Sequence, residues 1–310
     1  MSDSLGPLLV IAGPTATGKT GAALRLARHF DGELIGADSV QVYRGFDIGS
    51  AKPTPKELGG VAHHLIDVVD PNEEIDAAAY ASRADAAISD VRSRGRLPIV
   101  VGGTGLWLRA LLRGLVEVPP VDPSVRARLE AAVESEGAPA LHARLHEVDP
   151  LSAEAVHPND ALRIVRALEV YEQTGTPLGK LREAHALGAA RYAARVIALD
   201  MERDAHAAII EARTKQMMDA GWAEEVRGLV SRWGDAIRPL GSVGYREVLA
   251  HVRDGVPLAE TLERIRKSTR IYARRQRTWF KSDPNVSWWS EGSLLSKADT
   301  RERIAKELGL

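Results

Sequence analysis

Residues 13–20 read Gly-Pro-Thr-Ala-Thr-Gly-Lys-Thr, the eight-residue pattern G-x-x-x-x-G-K-[ST] of a phosphate-binding loop. The apolar run Leu8–Ala12 precedes the pattern and is typical of a buried parallel strand. Apolar residues at helical spacing follow it, namely Leu24, Ala27 and Phe30. The order of strand, loop and helix is the one in which the motif occurs, so a parallel α/β sheet is predicted at this end of the chain.

The chemistry of the loop indicates an anion site. Gly13 and Gly18 allow backbone angles that larger residues resist, so the loop amides can turn inward onto an anion. The start of the following helix adds its partial positive charge. Lys19 supplies a cation for an outer phosphate, and the Thr20 hydroxyl can hold a Mg²⁺ ion that bridges phosphates. The loop does not specify its ligand, and a chance Gly-rich turn is the alternative.

Composition limits the classes of protein to consider. The 310 residues, 45% hydrophobic and 27% charged, suffice for one large or two modest domains with a substantial core. The chain has no cysteine, which excludes disulfides, thiolate metal sites and a cysteine nucleophile. No signal peptide and no membrane span are expected, because the first apolar run is short and no run reaches about 18 residues. The net charge of −1 gives no hint of a nucleic-acid partner.

A second predicted strand, from Gly32 to Asp38, ends in a compact polar cluster. Ligand-contacting residues of open parallel sheets lie at the carboxyl ends of strands, which places Asp38, Ser39 and Gln41 near the loop. A carboxylate there can accept a proton from a substrate amine, and Gln and Ser side chains can hydrogen-bond a base. A solvated turn is an equally good interpretation of the same residues.

A third strand is predicted over residues 97–101 and ends in Gly102-Gly103-Thr104-Gly105. An ordinary P-loop NTPase carries a magnesium-binding Asp after this strand, whereas here Thr104 offers a hydroxyl. This weighs against an ATPase or GTPase, although Asp200, at the end of a strand predicted over 196–200, keeps that possibility open. A close-packed Gly turn is the alternative.

The composition changes at about residue 114, and the chain up to about 195 is rich in Ala, Arg, Glu and Leu. We therefore predict an α/β fold, a P-loop NTPase-like parallel sheet flanked by helices, with a helical insertion domain. The core is predicted to comprise residues 1–113 and 196–310, and the insertion residues 114–195. Within the insertion, Asn159 or Asp160 is predicted to cap a helix that stops at Gly175.

A long helix predicted over residues 257–281 carries the nucleic-acid signal. From Arg264 to Lys281 it has eight cations and no acid, and Tyr272, Trp279 and Phe280 are interleaved with them. Such a stretch can neutralise backbone phosphates and stack on unpaired bases. A solvated helix face with aromatic residues in the core is the alternative.

Two weaker signals have ordinary explanations. His63, His64 and Asp67 are few for a metal site, and adjacent His residues on a strand point apart, so a structural loop is favoured. Arg213 falls in the middle of a helix predicted from Asp204 to Asp219. It is either a solvated surface residue or a clamp on a diphosphate.

Together these residues resemble the bacterial tRNA dimethylallyltransferase family, and as a set they are specific. Two departures are Thr17, where Ser is common, and Trp107, where Tyr is common, and the Cys/His zinc module of eukaryotic relatives is missing. The matching stretches run in order along nearly the whole chain: residues 13–20, 37–44, 47–53, 63–67, 102–106, 157–160, 163–170, 243–247 and 275–280.

The resemblance implies a transfer of the dimethylallyl group from dimethylallyl diphosphate to the exocyclic N6 of the adenine 3′-adjacent to a tRNA anticodon. Diphosphate is released, Mg²⁺ is the cofactor, and the loop holds the leaving diphosphate rather than ATP. The insertion domain is implied to contact the tRNA anticodon stem-loop. We expect a monomer without a membrane partner, located in the cytoplasm.

The resemblance also implies roles for individual residues. Asp38 is the general base, and Lys19, Thr104 and Arg213 are catalytic groups that stabilise the departing diphosphate. Thr20 holds the magnesium ion. The diphosphate-binding residues are Gly13, Pro14, Thr15, Ala16, Thr17, Gly18, Lys19 and Thr20. The residues that contact tRNA are Asp38, Ser39, Val40, Gln41, Thr104, Arg126 or else Arg128, Leu162, Arg163, Ile164, Val165, Arg166, Gly241, Ser242, Val243, Gly244, Tyr245 and Arg246.

Three other functions fit parts of the sequence. A small-molecule kinase or NTPase shares residues 13–20 but must consume ATP. A free adenine-nucleotide prenyltransferase of the cytokinin type needs neither the insertion nor the basic helix. A non-catalytic RNA-binding module explains the basic helix but leaves Lys19, Thr20 and Asp38 without a purpose.

Overall fold

The computed structural model describes residues 7–186, 190–290 and 298–308. The described residues separate into two compact units, one within Met1–Leu112 and Arg191–Leu310 and the other within Arg113–Ala190. The last three residues of the predicted insertion, 193–195, belong to a strand of the first unit. None of the described helices combines the length and the apolar composition needed to cross a bilayer.

The first unit is built on a six-stranded sheet in the order β3-β2-β4-β1-β5-β6, and every pairing is parallel. Helices cover both faces, so β2 and β4 are buried along their whole length, as apolar central strands of parallel sheets are. The predicted α/β fold is confirmed. The strands are β1 (Pro7–Ala12), β2 (Gly32–Ala37), β3 (His63–His64), β4 (Leu97–Gly102), β5 (Ala193–Leu199) and β6 (Val286–Trp289).

Helices connect these strands in the order expected for a parallel sheet. A 3₁₀ turn, Arg238–Gly241, precedes α12. Together with α4 (Gly105–Arg113), which follows β4, the helices of this part are α1 (Lys19–His29), α2 (Pro55–Leu58), α3 (Ala77–Ser93), α10 (Arg203–Asp219), α11 (Trp222–Trp233), α12 (Tyr245–Asp254), α13 (Leu258–Lys281) and α14 (Ala298–Leu308).

One face of the sheet is closed by α1 and α14. Leu24, Leu26 and Ala27 of α1 and Ile304 and Leu308 of α14 share one core cluster with the side chains of the central strands. Burial of this apolar surface is the main stabilising term for the layer. It holds the carboxyl ends of β1, β2 and β4 at one edge, where the loops that follow them meet.

The second unit is helical and has its own core. Asp160 caps α8, accepting a hydrogen bond from the Arg163 amide at 3.2 Å, and the helix ends at Gly175, as predicted. Ile164, Val165 and Leu168 of α8 form part of the buried cluster. The helices are α5 (Pro123–Glu136), α6 (Ala138–Val148), α7 (Pro150–Ala155), α8 (Ala161–Thr174) and α9 (Leu178–Ala186).

Candidate active site

The phosphate-binding loop connects β1 to α1 and is fixed by local contacts. Gly13 has φ of 127°, and a side chain there would place Cβ 2.5 Å from the Leu199 carbonyl oxygen. The Pro14 carbonyl accepts hydrogen bonds from Lys19 Nζ at 2.6 Å and from Thr17 Oγ1 at 2.9 Å. The Lys19 side chain is therefore held by the loop itself.

A carboxylate and two cations lie within electrostatic reach of one another beside this loop. Burial lowers the pKa of Lys19 to about 8, with Asp38 opposing the shift and Arg213 of α10 adding to it. Burial also lowers the pKa of Arg213, and Asp38 again opposes. The structure thus brings together three residues that are far apart in the sequence, and the site is suited to an anionic ligand next to a proton acceptor.

Asp38 follows β2 and is oriented by its own turn. Its Oδ1 accepts hydrogen bonds from the amides of Val40 at 2.9 Å and Gln41 at 3.2 Å. Oδ2 takes no part in these bonds. Because one oxygen is fixed by the backbone, the other has a defined position in which to receive a proton from a bound amine.

Thr104, just after β4, is joined to the residue that follows Asp38. Its Oγ1 accepts a hydrogen bond from the Ser39 amide at 3.1 Å and donates to Ser39 Oγ at 3.4 Å. The Thr104 amide donates to the Ala37 carbonyl at 3.2 Å. The ends of two neighbouring strands are thereby held together, and the Thr104 hydroxyl lies beside the Asp38 turn.

The side-chain amide of Gln41 already makes hydrogen bonds within the protein. Its Nε2 donates to the carbonyls of Ser50 at 3.0 Å and Ala51 at 3.2 Å. The amide oxygen, Oε1, is the atom that this arrangement leaves for a ligand. Recognition of a base by Gln41 in this conformation therefore uses one acceptor rather than a donor and acceptor pair.

A cavity of about 280 Å³ adjoins these groups. Its lining includes the charged residues Asp38 and Arg213 together with apolar and aromatic side chains. Burial and the charge of Asp38 raise the pKa of Tyr272, so this phenol stays neutral. The lining residues that sequence reasoning predicted are Thr15, Ala16, Asp38, Ser39, Val40, Arg213, Gly241, Ser242, Val243, Tyr245 and Arg246, and the ones it missed include Ile210, Met217, Trp222, Ile265 and Tyr272.

Two further residues contact the loop and were missed, His206 of α10 and Gln276 of α13. Both are buried, and both hydrogen-bond Thr15. A polar residue at a helix position where apolar residues are expected is the sequence feature that could have identified them. Gln276 continues the helical spacing of Ile265, Tyr272 and Ala273, and such a position is usually apolar.

The strand-end carboxylate Asp200 is committed to an ion pair with Arg277 of α13 at 2.6 Å. The kinase alternative needs this carboxylate as a magnesium ligand. Because Arg277 already pairs with the Asp200 carboxylate, this contact weighs against Asp200 as a magnesium ligand and so against the kinase alternative.

For His63, His64 and Asp67 the sequence favours a structural loop over a metal site, and the contacts of His64 and Asp67 agree with that prediction. His64 Nε2 lies 2.6 Å from the Glu33 carboxylate, and Asp67 pairs with Lys52 at 2.6 Å. Burial, with the neighbouring His64, lowers the pKa of His63 to about 4, so that ring is neutral at pH 7. These contacts favour the structural loop over a metal site.

The basic helix α13 has a paired part and an unpaired part. Arg264, Arg266, Arg270 and Arg277 each pair with an acidic side chain. No acidic partner occurs for Lys267, Arg274 or Arg275 within the described part of the chain, and all three are exposed. The unpaired cations are therefore the ones free to meet phosphates.

Of the three aromatic residues in the basic stretch of α13, two pack within the protein and one lines the cavity. Phe280 is buried, so its interpretation as a stacking platform for bases is wrong. The Trp279 ring lies 4.4 Å from the guanidinium of Arg109. Tyr272 lines the cavity.

The tRNA-binding residues predicted in the second unit differ in their exposure. Leu162 is 71% exposed, and Arg163 pairs with Asp160 at 2.8 Å. Ile164 and Val165 are buried in the core, so their side chains offer nothing to a ligand in this conformation.

Three arginines of the same unit pair with glutamates. Arg126 and Arg166 both pair with Glu169, a fully buried glutamate, whereas Arg128 pairs with Glu172. Arg166 also donates to the Pro119 carbonyl at 3.2 Å. Arg126 is thus held by a buried acid, while Arg128 is held by a partly exposed one.

Comparison with known sequences gives one consistent family. A family model described as IPP transferase matches residues 41–283. A tRNA dimethylallyltransferase of Sorangium cellulosum (strain So ce56) is 50% identical over 277 residues, 89% of this chain and 88% of the relative. One of Anaeromyxobacter sp. (strain Fw109-5) is 52% identical over 281 residues, 91% of this chain and 93% of the relative.

Solved structures agree. The crystal structure of the full-length tRNA isopentenylpyrophosphate transferase of Bacillus halodurans has a TM-score of 0.72 at 37% identity, over 98% of this chain and 97% of that one. A eukaryotic dimethylallyltransferase acting on tRNA has a TM-score of 0.78 at 27% identity, over 97% of this chain and 78% of that one.

Proposed function

The chain belongs to the IPP transferase family, and on that premise we propose that it transfers a dimethylallyl group from dimethylallyl diphosphate to N6 of the adenine 3′-adjacent to a tRNA anticodon. The resemblance inferred from its motifs is confirmed. The observation that carries the proposal is that Asp38 and residues of the phosphate-binding loop line one cavity together with apolar and aromatic side chains.

The transfer needs a nucleophile, a leaving group and a proton acceptor. The N6 lone pair forms a bond to C1 of the dimethylallyl group, and the bond from C1 to the diphosphate oxygen breaks, so its electrons leave with diphosphate. The proton from N6 passes to Asp38. Support for this role is the fixed Oδ1 of Asp38, which leaves Oδ2 to accept the proton.

The departing diphosphate gains negative charge at its bridging oxygen, and the site is rich in groups that stabilise it. Lys19 and Arg213 are cations next to the loop, and Thr104 supplies a hydroxyl at the neighbouring strand end. Donors that are already oriented stabilise developing charge without reorganising, which is the main electrostatic contribution to such reactions.

Mg²⁺ is the proposed cofactor, held by Thr20. The Thr20 side chain lies in the first turn of α1, and its hydroxyl makes no hydrogen bond to the described residues. No group of three or more His, Cys, Asp or Glu side chains suited to a metal occurs among the described residues. The hydroxyl and phosphate oxygens form a donor set that magnesium accepts, and the ion when bound neutralises diphosphate charge.

RNA contacts are proposed in each unit separately. In the first unit the exposed cations Lys267, Arg274 and Arg275 of α13 are available for phosphates. In the second unit Leu162 and Arg163 are the exposed residues of the predicted set on α8. A cytoplasmic location is part of the proposal, supported by the tRNA substrate in the names of the relatives. A monomeric state stays a prediction.

The experiment is incubation with dimethylallyl diphosphate, Mg²⁺ and unmodified tRNA, followed by digestion and nucleoside mass spectrometry. We expect one N6-dimethylallyladenosine per modified tRNA and an equal release of diphosphate. Parallel reactions contain AMP in place of tRNA, or ATP without an isoprenoid. Modified AMP with unmodified tRNA would favour the free-nucleotide enzyme, and ATP turnover with unmodified tRNA would favour the kinase.

A further inference from the structure

Thr15 of the phosphate-binding loop is held through both of its backbone polar groups by buried side chains. Its amide donates to Gln276 Oε1 at 2.8 Å. Its carbonyl lies 2.8 Å from His206 Nε2, and since a carbonyl can only accept, the imidazole donates through Nε2–H. Gln276 is 7% exposed and His206 is 4% exposed, so both side chains make these bonds from buried positions.

Gln276 also joins the loop to the neighbouring strand end. Its Nε2 donates to the Gly103 carbonyl at 2.9 Å. Any side chain at position 103 would place its Cβ 2.3 Å from that nitrogen, so the amide group fills the space that the absent side chain leaves. The side-chain amide of Gln276 thus accepts a hydrogen bond from the loop and donates one to the turn that carries Thr104.

His206 comes from a different helix that also serves the site. It lies in α10, two turns before Arg213, which lines the cavity. The Thr15 backbone is therefore held between α10 and α13, both of which come after the second unit in the chain. The residue that follows, Ala16, has φ of 62°, a left-handed conformation that non-glycine residues adopt only when their surroundings impose it.

We propose that Gln276 and His206 are positioning residues that hold the loop in the conformation that receives the diphosphate. The geometry has a direct consequence for the ligand. The Thr15 amide donates to Gln276 and is not available to phosphate, which corrects the diphosphate-binding role predicted for this amide. Other loop donors remain, among them the amides of residues 16–20 and the ammonium of Lys19. Loss of either side chain frees Thr15 to rotate and lets the strained Ala16 relax, which misaligns these donors before the ligand arrives.

This inference rests on the proposed function for its choice of ligand, so binding is measured separately from transfer. The test uses the full chain and inorganic diphosphate with Mg²⁺, titrated by calorimetry, together with KM for dimethylallyl diphosphate and KM for tRNA. The variants are Gln276→Ala, Gln276→Glu, His206→Ala and His206→Gln. Gln276→Glu keeps the acceptor for Thr15 but loses the donor to Gly103, and His206→Gln keeps an amide donor for Thr15.

We expect His206→Ala and Gln276→Glu, which each lose one hydrogen bond, to weaken diphosphate binding and to raise KM for the isoprenoid about tenfold. Gln276→Ala loses two hydrogen bonds and should have at least as large an effect. KM for tRNA is expected to change less than twofold. His206→Gln should recover most of the lost affinity.

Two matched controls remove comparable bonds elsewhere. Thr261→Val removes a buried hydrogen bond of α13 to the Pro257 carbonyl, and His251→Ala removes a bond from a histidine to the Val256 carbonyl. Both are expected to lower the unfolding midpoint without changing diphosphate affinity.

The inference is wrong if the Gln276 and His206 variants lower only the unfolding midpoint, as the controls do, with diphosphate affinity within twofold of the original chain. It is equally wrong if KM for both substrates rises in parallel. Should one alanine variant fail to fold, the other alanine variant and Gln276→Glu decide the question. A chain that binds diphosphate but never modifies tRNA would contradict the proposed function, while the binding comparison would still decide this inference.

Discussion

Arg277 donates two hydrogen bonds to a single carboxylate oxygen of Asp200, from Nε at 2.9 Å and from Nη2 at 2.6 Å. The Met201 amide donates to the same oxygen at 2.9 Å. Asp200 follows β5, which is paired with β1, the strand that leads into the phosphate-binding loop. A carboxylate at such a position is suited to a metal, but here it joins the sheet to α13.

Asp200→Asn is therefore expected to affect stability rather than magnesium use. The half-saturating Mg²⁺ concentration for prenyl transfer should stay within twofold of the original value. The free energy of unfolding should fall by about 1–2 kcal/mol, since both side chains are partly exposed and the charge-assisted bonds are weakened by solvent. A magnesium titration of activity and urea unfolding measure the two effects. A tenfold rise in the magnesium requirement would restore Asp200 as a ligand.

Asp38→Asn tests the proton acceptor with little change of shape. The amide oxygen can still accept the bonds from the Val40 and Gln41 amides, so the turn is retained. Because an amide cannot take the proton from N6, kcat should fall by about 10²–10⁴. Binding of tRNA, measured by filter retention, should change only a few-fold. The control is Asp70→Asn, a surface carboxylate paired with Arg44. Unchanged turnover in Asp38→Asn would exclude this residue as the base.

The parts of the fold that the sequence predicts are those with a strong local signal. β1, β2, β4 and β5 are apolar runs next to turn residues, and α13 has a long stripe of regular spacing. β6 was not predicted because its four residues, Val286–Trp289, are only partly buried and give no alternation. Its position at the edge of the sheet comes from pairing with β5, which is a tertiary contact.

The residues of the candidate site also divide into those with a local sequence signal and those without one. Lys19 and Asp38 were predicted because a motif or a strand end lies next to them in the sequence. Gln276 and His206 contact Thr15 from 261 and 191 residues away, and no local pattern encodes such a pairing. A sequence can indicate a buried polar residue only where a polar side chain interrupts an apolar stripe. It cannot indicate the hydrogen-bond partner, because that partner depends on how the helices pack.

The titration of Lys19 predicts a pH dependence for donor binding. Its pKa is about 8, so the ammonium is charged below that pH and loses its proton above it. Since a diphosphate binds the charged form, kcat/KM for dimethylallyl diphosphate should be level below pH 8 and should fall above it. At saturating donor kcat should fall only at higher pH, because the bound anion favours the charged lysine.

Lys19→Arg is the matched variant for this profile, because its guanidinium stays charged over the whole range. Both proteins meet the same ionisation of the donor, so the difference between their profiles belongs to Lys19. Profiles measured by release of diphosphate that fall together above pH 8 would exclude Lys19 as the titrating group.

The exposed cations of α13 predict a measurable salt effect. Arg274→Ala or Arg275→Ala should weaken tRNA binding and reduce the slope of log Kd against log salt by about 1, since each arginine neutralises about one phosphate. KM for the isoprenoid should not change. Arg253→Ala is the control, because Arg253 of α12 is paired with Asp235 and Asp254. If both variants keep the slope of log Kd against log salt of the original chain, Arg274 and Arg275 do not contact the RNA phosphates.

Glu169 predicts a large loss of stability in the second unit. It is fully buried and pairs with Arg126 and Arg166, whose side chains keep about a quarter of their surface exposed, 26% and 27%. Glu169→Ala leaves the two arginines without their acidic partner, and we expect the free energy of unfolding to fall by about 3 kcal/mol, the lower end for a broken buried pair.

Glu172→Ala is the matched variant, because Glu172 also pairs with an arginine, Arg128, but is 24% exposed. Its expected cost is below about 1 kcal/mol. Urea unfolding followed by the fluorescence and circular dichroism of each variant measures the difference, and equal losses in the two variants would show that burial of Glu169 does not control the strength of its ion pairs.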